Sequence, residues 1–338
     1  MKKCPNIVCV GGGTGQAAVL RGLKKYPVNI TAVVTVTDSG RSSGRIRREQ
    51  GILPPGDIRN CLVSLASSEK ILKDLFQYRF RGGDGLDGMS FGNLFIAALT
   101  KITGSFDKAV RETSKILAIQ GKVLPSTLQD THICAELDDK TIIEEEFNIR
   151  CPNKRPISRV FLKDEGVKSS PECIDALLKA DLIVLGPGSL YTSVICNLLI
   201  KDIQMAIKKS RAIKVYICNL MTHPGQTDDY TANKHVEEVV RYLGEGVLDY
   251  VIINRERPEE KLLKRYYREE GATLLQADIN GIKALGITPI VRNIVDKSHD
   301  KMELWQKQDL LRHDPHKLAK ILIKLYKGEI PKKRVDKC

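Results

Sequence analysis

The chain has 338 residues, enough for one large α/β domain or two small ones with a sizeable core, and a formal net charge of +13. Its lysines and arginines are spread over many apparent helix surfaces, aromatic residues are only 5% of the chain, and no nucleic-acid motif is present, so the charge does not point to a nucleic-acid partner. No apolar run reaches membrane-spanning length and Met1 to Pro5 carry no hydrophobic leader, which predicts a cytoplasmic protein with no membrane span.

The first element is a strand near 6–10, followed at once by Gly11, Gly12, Gly13 and Gly15. Ala17, Leu20 and Leu23 then recur at helical spacing, so the glycines sit where a strand passes into a helix. Gly13-x-Gly15-x-x-Ala18 matches the relaxed dinucleotide fingerprint, in which bare backbone lets a phosphate approach amides at a helix N-terminus. No Gly-Lys-Ser/Thr follows, which disfavours a Walker-type ATPase. A second β-branched run, 29–38, ends at Asp38, 23 residues after Gly15, where an acid can bind a ribose hydroxyl or cap a turn.

The stretch 38–62 is the most distinctive. Ser42, Ser43 and Gly44 read equally as ligand donors and as an ordinary turn. Arg41, Arg45, Arg47 and Arg48 form a basic cluster suited to a phosphorylated ligand. Pro54-Pro55-Gly56 is a stiff turn into a helix near 57–78, and a capping role accounts for Asp57. A second helix is predicted near 92–120 and a β-rich middle near 131–162. "DLIVLGPGSLYTS" (181–193) repeats the strand, glycine turn and helix logic, and strands follow within 212–220 and 249–256. Asp314-Pro315 reads as an N-cap before a final helix, and Lys332 to Arg334 as a solvated basic tail.

Nine cysteines include no Cys-x-x-Cys pair; Cys9, Cys61, Cys134, Cys196 and Cys218 lie in apolar stretches and read as reduced core residues. His313-x-x-His316 flanks Pro315 and reads as a turn or helix start, so no structural metal is assigned.

Alternation of this kind predicts an α/β fold: a Rossmann-like, mainly parallel sheet with helices on both faces and an inserted β-rich segment. One domain with insertions is expected over 1–328, followed by the tail 329–338. Ligands of such sheets bind beyond the carboxyl ends of strands, which selects the glycine loop, Asp38, Gly186 to Ser189 and Asn219.

The motifs "GGGTG", "SSGRIRREQGILPPGDIRNCLVSLA", "FGNL", "GPGSLYTS" and "CNLMTHPGQTDDY", in this order, closely resemble the gluconeogenesis factor (YvcK) family, within the superfamily of 2-phospho-L-lactate transferase (CofD). The resemblance runs from about residue 6 to about residue 327. It implies a Rossmann-like fold and a nucleotide-containing ligand, a UDP-sugar such as UDP-N-acetylglucosamine. It also implies a role in cell shape and wall synthesis during growth on gluconeogenic carbon sources, with a wall-synthesis or metabolic protein as partner. The transferase relative instead moves a phospholactyl group onto a deazaflavin with a divalent metal.

Carried onto this chain, Gly11, Gly12, Gly13, Thr14 and Gly15 match the family's phosphate-side loop, and Asp38 matches the first acid of its Asp-Asp-Gly-Gly-Ser-Ser-Gly segment. Ser39 and Arg41 stand where that segment usually has Asp and Gly, and losing a carboxylate while gaining a cation lowers local affinity for Mg²⁺. His223, Gln226 and Asp229 stand where Gln, Glu and Gly are common. The further candidate ligand residues within the motifs are Asp57, Asn60, Asn93, Gly186, Gly188, Ser189, Asn219 and Thr222. Arg312 joins them as a cation able to grip a diphosphate, or else to make a surface ion pair. Three functions follow as alternatives: a non-catalytic nucleotide-sugar regulator needing no cofactor and able to form a homodimer; a phospholactyl-type transferase with Mg²⁺ near Asp38 and Asp57; and an NAD-binding protein.

Overall fold

The computed structural model describes residues 4–83, 85–296 and 311–331. The basic tail and the side chain of Arg41 lie outside the described residues. Ten strands are present among them: β1 (Asn6–Gly11), β2 (Asn29–Val34), β3 (Lys122–Pro125), β4 (Ile133–Leu137), β5 (Ile142–Glu144), β6 (Ile157–Leu162), β7 (Leu182–Leu185), β8 (Ile213–Ile217), β9 (Tyr250–Asn254) and β10 (Thr288–Arg292). Seven form one sheet in the order β10-β9-β8-β7-β1-β2-β3, and every pairing in it is parallel. With the inserted β4, β5 and β6 set aside, this is the doubly wound strand order of a Rossmann-like sheet with one added strand.

Alternation within the strands explains the two-sided burial. Ile7 and Cys9 of β1 enter the core on one face with Ala32, Val34, Leu182 and Val215. Val8 and Val10 enter the core on the other face with Val33, Ile183 and Leu185. Both faces are dry, as a parallel sheet between helical layers requires. Among the described residues no single helix is long and apolar enough to cross a membrane. Cys9, Cys61, Cys134, Cys196 and Cys218 are all buried and unpaired.

The early helices are α1 (Gly13–Leu23), α2 (Arg41–Gln50), α3 (Gly56–Leu65), α4 (Lys70–Gln77), α5 (Phe91–Thr103) and α6 (Phe106–Ile116). The helix expected near 57–78 is therefore two helices, broken where Ala66 turns extended, and the one expected near 92–120 is also two. Gly104 ends α5 in the left-handed region at φ +67°, and the Ser105 hydroxyl caps α6 by accepting from the Lys108 amide. Ser42, Ser43 and Gly44, read as a turn or a donor loop, lie in the first turn of α2. The expected cap at 314 is present: the Asp314 carboxylate accepts from the amides of His316 and Lys317 at 2.8 and 3.1 Å.

The helix starting at Pro315 packs on α1 through Gly22. A Cβ there would stand 2.0 Å from the Pro315 carbonyl oxygen and 3.0 Å from the Ala319 Cβ. Gly22→Ala, which on an exposed helix gains about 1 kcal/mol, is therefore expected to cost about 1–3 kcal/mol by forcing the two helices apart. Chemical denaturation checks the sign.

The insertion forms a separate antiparallel sheet, β5-β4-β6. Ile133, Ala135, Leu137 and Val160 from it join the second core, so it lies on that face of the main sheet. Between β5 and β6 it carries a one-turn helix, α7 (Glu146–Ile149). The Phe147 amide donates to the Ser39 hydroxyl at 3.0 Å, which draws α7 onto the loop after β2.

Candidate functional site

In the sheet order the chain passes outward from β1 to β2 and β3, then returns to the other side of β1 with β7. The strand order thus reverses between β1 and β7, and the crevice beyond their carboxyl ends is where doubly wound sheets take ligands. The glycine loop leaves β1 there and Gly186 to Ser189 leave β7 beside it.

Two of the glycines are required by close approach. A Cβ at Gly15 would lie 2.5 Å from the Pro187 carbonyl oxygen, so the two loops touch backbone to backbone. At Gly12 it would lie 2.5 Å from an Asp57 carboxylate oxygen and 2.6 Å from the Thr35 methyl. Gly186 takes φ +72° and Gly188 is partly open, as are Gly13, Gly15 and Ser189, while Thr14 is exposed and Gly11 is buried in β1. The open edge of the loop is therefore Gly13 to Gly15.

Asp57 does not act as the cap expected from the sequence. Helix α3 begins one residue earlier, with Pro55 at its N-cap, and no side chain caps it. The Asp57 carboxylate instead accepts a hydrogen bond from the Gly13 amide and faces Asp38. Burial, followed by the charge of Asp38, pushes the Asp57 carboxyl up to about 7, against the opposing pull of Gly13, Arg150 and Arg59. A third carboxyl, Glu146 of α7, joins the pair. It is 9% exposed, and burial, the charges of Asp38 and Asp57 and a hydrogen bond to Asp38 raise it to about 8. Near neutral pH Asp57 and Glu146 hold protons, and a carboxyl that keeps its proton donates hydrogen bonds to ligand oxygens.

Asp38 itself accepts from the Gly40 amide at 2.9 Å. Among the described residues no group of three or more His, Cys, Asp or Glu side chains is arranged to hold a metal ion.

Of the other candidates, Ser42, Ser43 and Asn93 are brought together as a buried clamp between α2 and α5. The Asn93 amide nitrogen donates to the Ser42 and Ser43 hydroxyls at 3.1 and 3.4 Å, and its oxygen has no partner. Gly44 lies under the same turn, where a Cβ would meet the Ser39 carbonyl at 1.8 Å. The clamp borders the carboxylates, because a Cβ at the intervening Gly56 would lie 2.2 Å from the Ser43 hydroxyl and 3.1 Å from an Asp38 oxygen. Asn60 accepts from Arg59 at 2.8 Å.

The arginine run is divided. Arg45 pairs with Glu49, and Arg47 is buried against Asp130 and the Thr131 carbonyl, so these two are engaged within the fold, while Arg48 is exposed.

Beyond β8, Asn219 is buried with its carbonyl oxygen unpartnered, and its amide nitrogen lies 3.5 Å from His223 Nδ1. Burial and then the charge of Arg150 lower His223 to about 4, leaving it neutral. The same arginine acts on Asp57 and Glu146, so it connects this loop to the carboxyl cluster. Thr222 is used structurally, its hydroxyl accepting from the Thr273 amide at 2.9 Å. Arg312 stands apart: burial lowers its pKa, and its neighbours are the Tyr266 phenol and Asp296. Two residues absent from the expected set matter here, Glu146 and Asn197, whose side-chain nitrogen donates to the Gly11 carbonyl at 3.1 Å and fastens the glycine loop to the segment after β7.

Comparison with known proteins agrees with this architecture. Residues 7–295 match the family described as 2-phospho-L-lactate transferase CofD. A gluconeogenesis factor of Bacillus subtilis is 46% identical over 97% of this chain and 100% of its own length. A putative gluconeogenesis factor of Aquifex aeolicus is 42% identical over 98% of this chain and 99% of its own. A crystal structure from Bacillus halodurans, described as a member of the upf0052 family, superposes with a TM-score of 0.89 at 43% identity, covering 95% of this chain and 99% of that one. With the strand order, the glycine loop and these likenesses in agreement, the chain belongs to the CofD family and, within it, to the gluconeogenesis factors.

Proposed function

We propose that this protein is a binding regulator whose ligand is a nucleotide-sugar of the UDP-N-acetylglucosamine type, serving cell shape and wall synthesis during gluconeogenic growth. The observation that carries the reading is the convergence of the glycine loop, the loop after β7 and the carboxyl cluster of Asp38, Asp57 and Glu146 at the one point where the strand order reverses. The amides of Thr14 and Gly15, beside the Gly13 amide that Asp57 already holds, suit phosphate oxygens at the start of α1, and the carboxyls suit sugar hydroxyls. The cysteines of the apolar stretches are core residues and supply no nucleophile. Burial pushes the thiols of Cys9, Cys196 and Cys218 up to about 12, so none is a thiolate.

A second reading, a phospholactyl-type transferase, is favoured by the Asp38 and Asp57 pair, whose oxygens are the donor type Mg²⁺ takes. The fit is poor here, because Asp57 is held by the Gly13 amide and the described residues offer no group of three or more side chains arranged for a metal.

Calorimetric titration with UDP-N-acetylglucosamine and with NAD, each with and without Mg²⁺, separates the readings. Metal-independent binding of the UDP-sugar, weakened about tenfold or more in Asp38→Ala, is expected. Binding only with Mg²⁺, or release of UDP on prolonged incubation, would favour the transferase, and selective NAD binding would favour neither.

A further inference from the structure

From Pro315 to Lys327 the chain carries four lysines and no acidic residue. These residues form the helix Pro315–Tyr326 with Lys327 as its C-cap, and Leu318, Ala319, Ile321, Leu322 and Leu325 bury one side of it in the core that Ile7 and Cys9 enter. At 3.6 residues per turn His316, Lys320, Lys324 and Lys327 fall within about 80° of one another, on the side opposite that buried stripe. Each of them is exposed. Lys25, just beyond α1, extends the row, its Nζ standing 3.2 Å from His316 Nε2.

The fold does not need this row. Like charges one turn apart, as at Lys320 with Lys324 and Lys324 with Lys327, destabilise a helix. Lys324 and Lys327 offset part of that cost at the negative end of the helix, but Lys320 lies before the last turn, outside the reach of the effect. Other helices of this chain set an acid one turn from an exposed cation: Arg45 has Glu49, Lys70 has Asp74, Arg111 has Asp107 and Lys179 has Asp175. In the row Lys324 has Glu329 at 4.0 Å, and among the described residues Lys320 and Lys327 have no acidic partner. Ile323, half-buried, and Tyr326, 36% exposed, border the row on one flank.

We propose that this face docks on an anionic lipid surface. Lysine offers a compact, hydrated point charge on a flexible stem, which suits a diffuse layer of headgroup phosphates better than the directed, bidentate contacts that arginine makes. A flat membrane can meet every member of a straight row at once, and a tyrosine beside it is the kind of side chain that settles at headgroup level. Nucleic acid fits less well, because the row has no arginine, asparagine or glutamine to read base edges and no series of aromatic platforms on which bases stack. The attachment is weak and peripheral: each lysine near such a surface strengthens it about fivefold, and three together about a hundredfold. Gly22, on which this helix packs, lies in the last turn of α1, at the other end from the glycine loop, so the face is separate from the crevice and independent of what the crevice binds.

The test is co-sedimentation of the full chain with vesicles of phosphatidylcholine alone and of phosphatidylcholine mixed with phosphatidylglycerol, at low salt, for wild type and two triple variants. One is Lys320→Gln, Lys324→Gln, Lys327→Gln. The other, Lys261→Gln, Lys264→Gln, Arg268→Gln, removes the same charge from the helix Glu260–Glu270 and leaves the row intact. Every substituted position is exposed, so both variants should fold, and thermal unfolding checks this. The expected result is wild-type binding to the anionic vesicles alone, reversed by added salt, about tenfold or more weaker in the row variant and within about twofold of wild type in the control. No wild-type binding to the anionic vesicles, equal binding to both kinds, or an equal loss in the two variants would overturn the proposal. So would binding to a short DNA duplex that is tighter than to the anionic vesicles and is lost in the row variant, which would assign the face to nucleic acid. Should the row variant fail to fold, the single reversal Lys320→Glu decides alone: binding about fivefold or more weaker is expected, and unchanged binding overturns the proposal.

Discussion

Gly15→Ala is expected to destabilise the protein by about 1–3 kcal/mol or more and to abolish nucleotide-sugar binding, although it adds a single methyl group. The reason is the backbone contact between the two loops at the switch point. The new Cβ would stand 2.5 Å from the Pro187 carbonyl oxygen and 2.8 Å from its carbon, and neither belongs to a side chain that can swing aside. The loops must part, carrying the amides of Thr14 and Gly15 away from the positions that receive phosphate. Gly11→Ala is the matched control: its methyl would meet only Gln16, at 3.6 Å or more, which is ordinary contact, so a loss well under 1 kcal/mol is expected. Thermal unfolding of both variants checks the contrast. Equal stability of Gly15→Ala and wild type would mean that the loops do not touch as described.

Glu146→Gln is expected to stabilise the protein, and to do so increasingly as pH rises from about 4 to about 8. Burial and the charges of Asp38 and Asp57 raise Glu146 to about 8, and burial and the charge of Asp38 raise Asp57 to about 7, well above unfolded carboxyls near 4. Groups raised in the folded state contribute stability below their unfolded values and lose it as pH rises through the folded values, because the folded protein holds protons that the unfolded chain has released. Wild type should therefore weaken from about pH 4 to about pH 8. The histidines act with the opposite sign. Burial lowers His223, His235 and His313 to about 4, so their contribution is lost as pH falls from about 6.5 to 4. At about pH 4 a glutamine replaces a carboxyl that is largely neutral in both the folded and the unfolded chain, and little should change. At pH 9 it removes an ionised third member from the cluster and should gain about 1–3 kcal/mol. The exposed Arg150 partner at 3.5 Å offsets this only slightly. Urea unfolding at the two pH values measures the difference, and an equal effect at both would contradict a proton-holding cluster.

The central βαβ unit was legible from local signals: an apolar run, glycines where bare backbone is required, and helical spacing from Ala17 to Leu23 agree with β1, the loop and α1. The edge strands β3 and β10 were not, because each is short and contains a proline, Pro125 or Pro289, which weakens the strand pattern. Glu146 had no local signal at all. It ends a run of three glutamates that reads as a solvated face, and its burial arises only because α7 folds over the loop that bears Ser39, 108 residues earlier. Asp57 shows the opposite difficulty: a strong local explanation, helix capping, concealed a tertiary one, its contact with Gly13 and Asp38. Residues such as Thr222 and Arg47 lie in suggestive motifs yet are engaged by their own fold.

Hydrogen exchange of the full chain with and without UDP-N-acetylglucosamine, in the absence of Mg²⁺, addresses the central claim most directly. A ligand seated at the reversal of strand order should slow exchange in the segments 11–18 and 186–196, on the two sides of the crevice, and leave the outer helices unchanged. Protection confined to other segments, or none at a saturating concentration, would contradict the claim that this crevice is the nucleotide-sugar site.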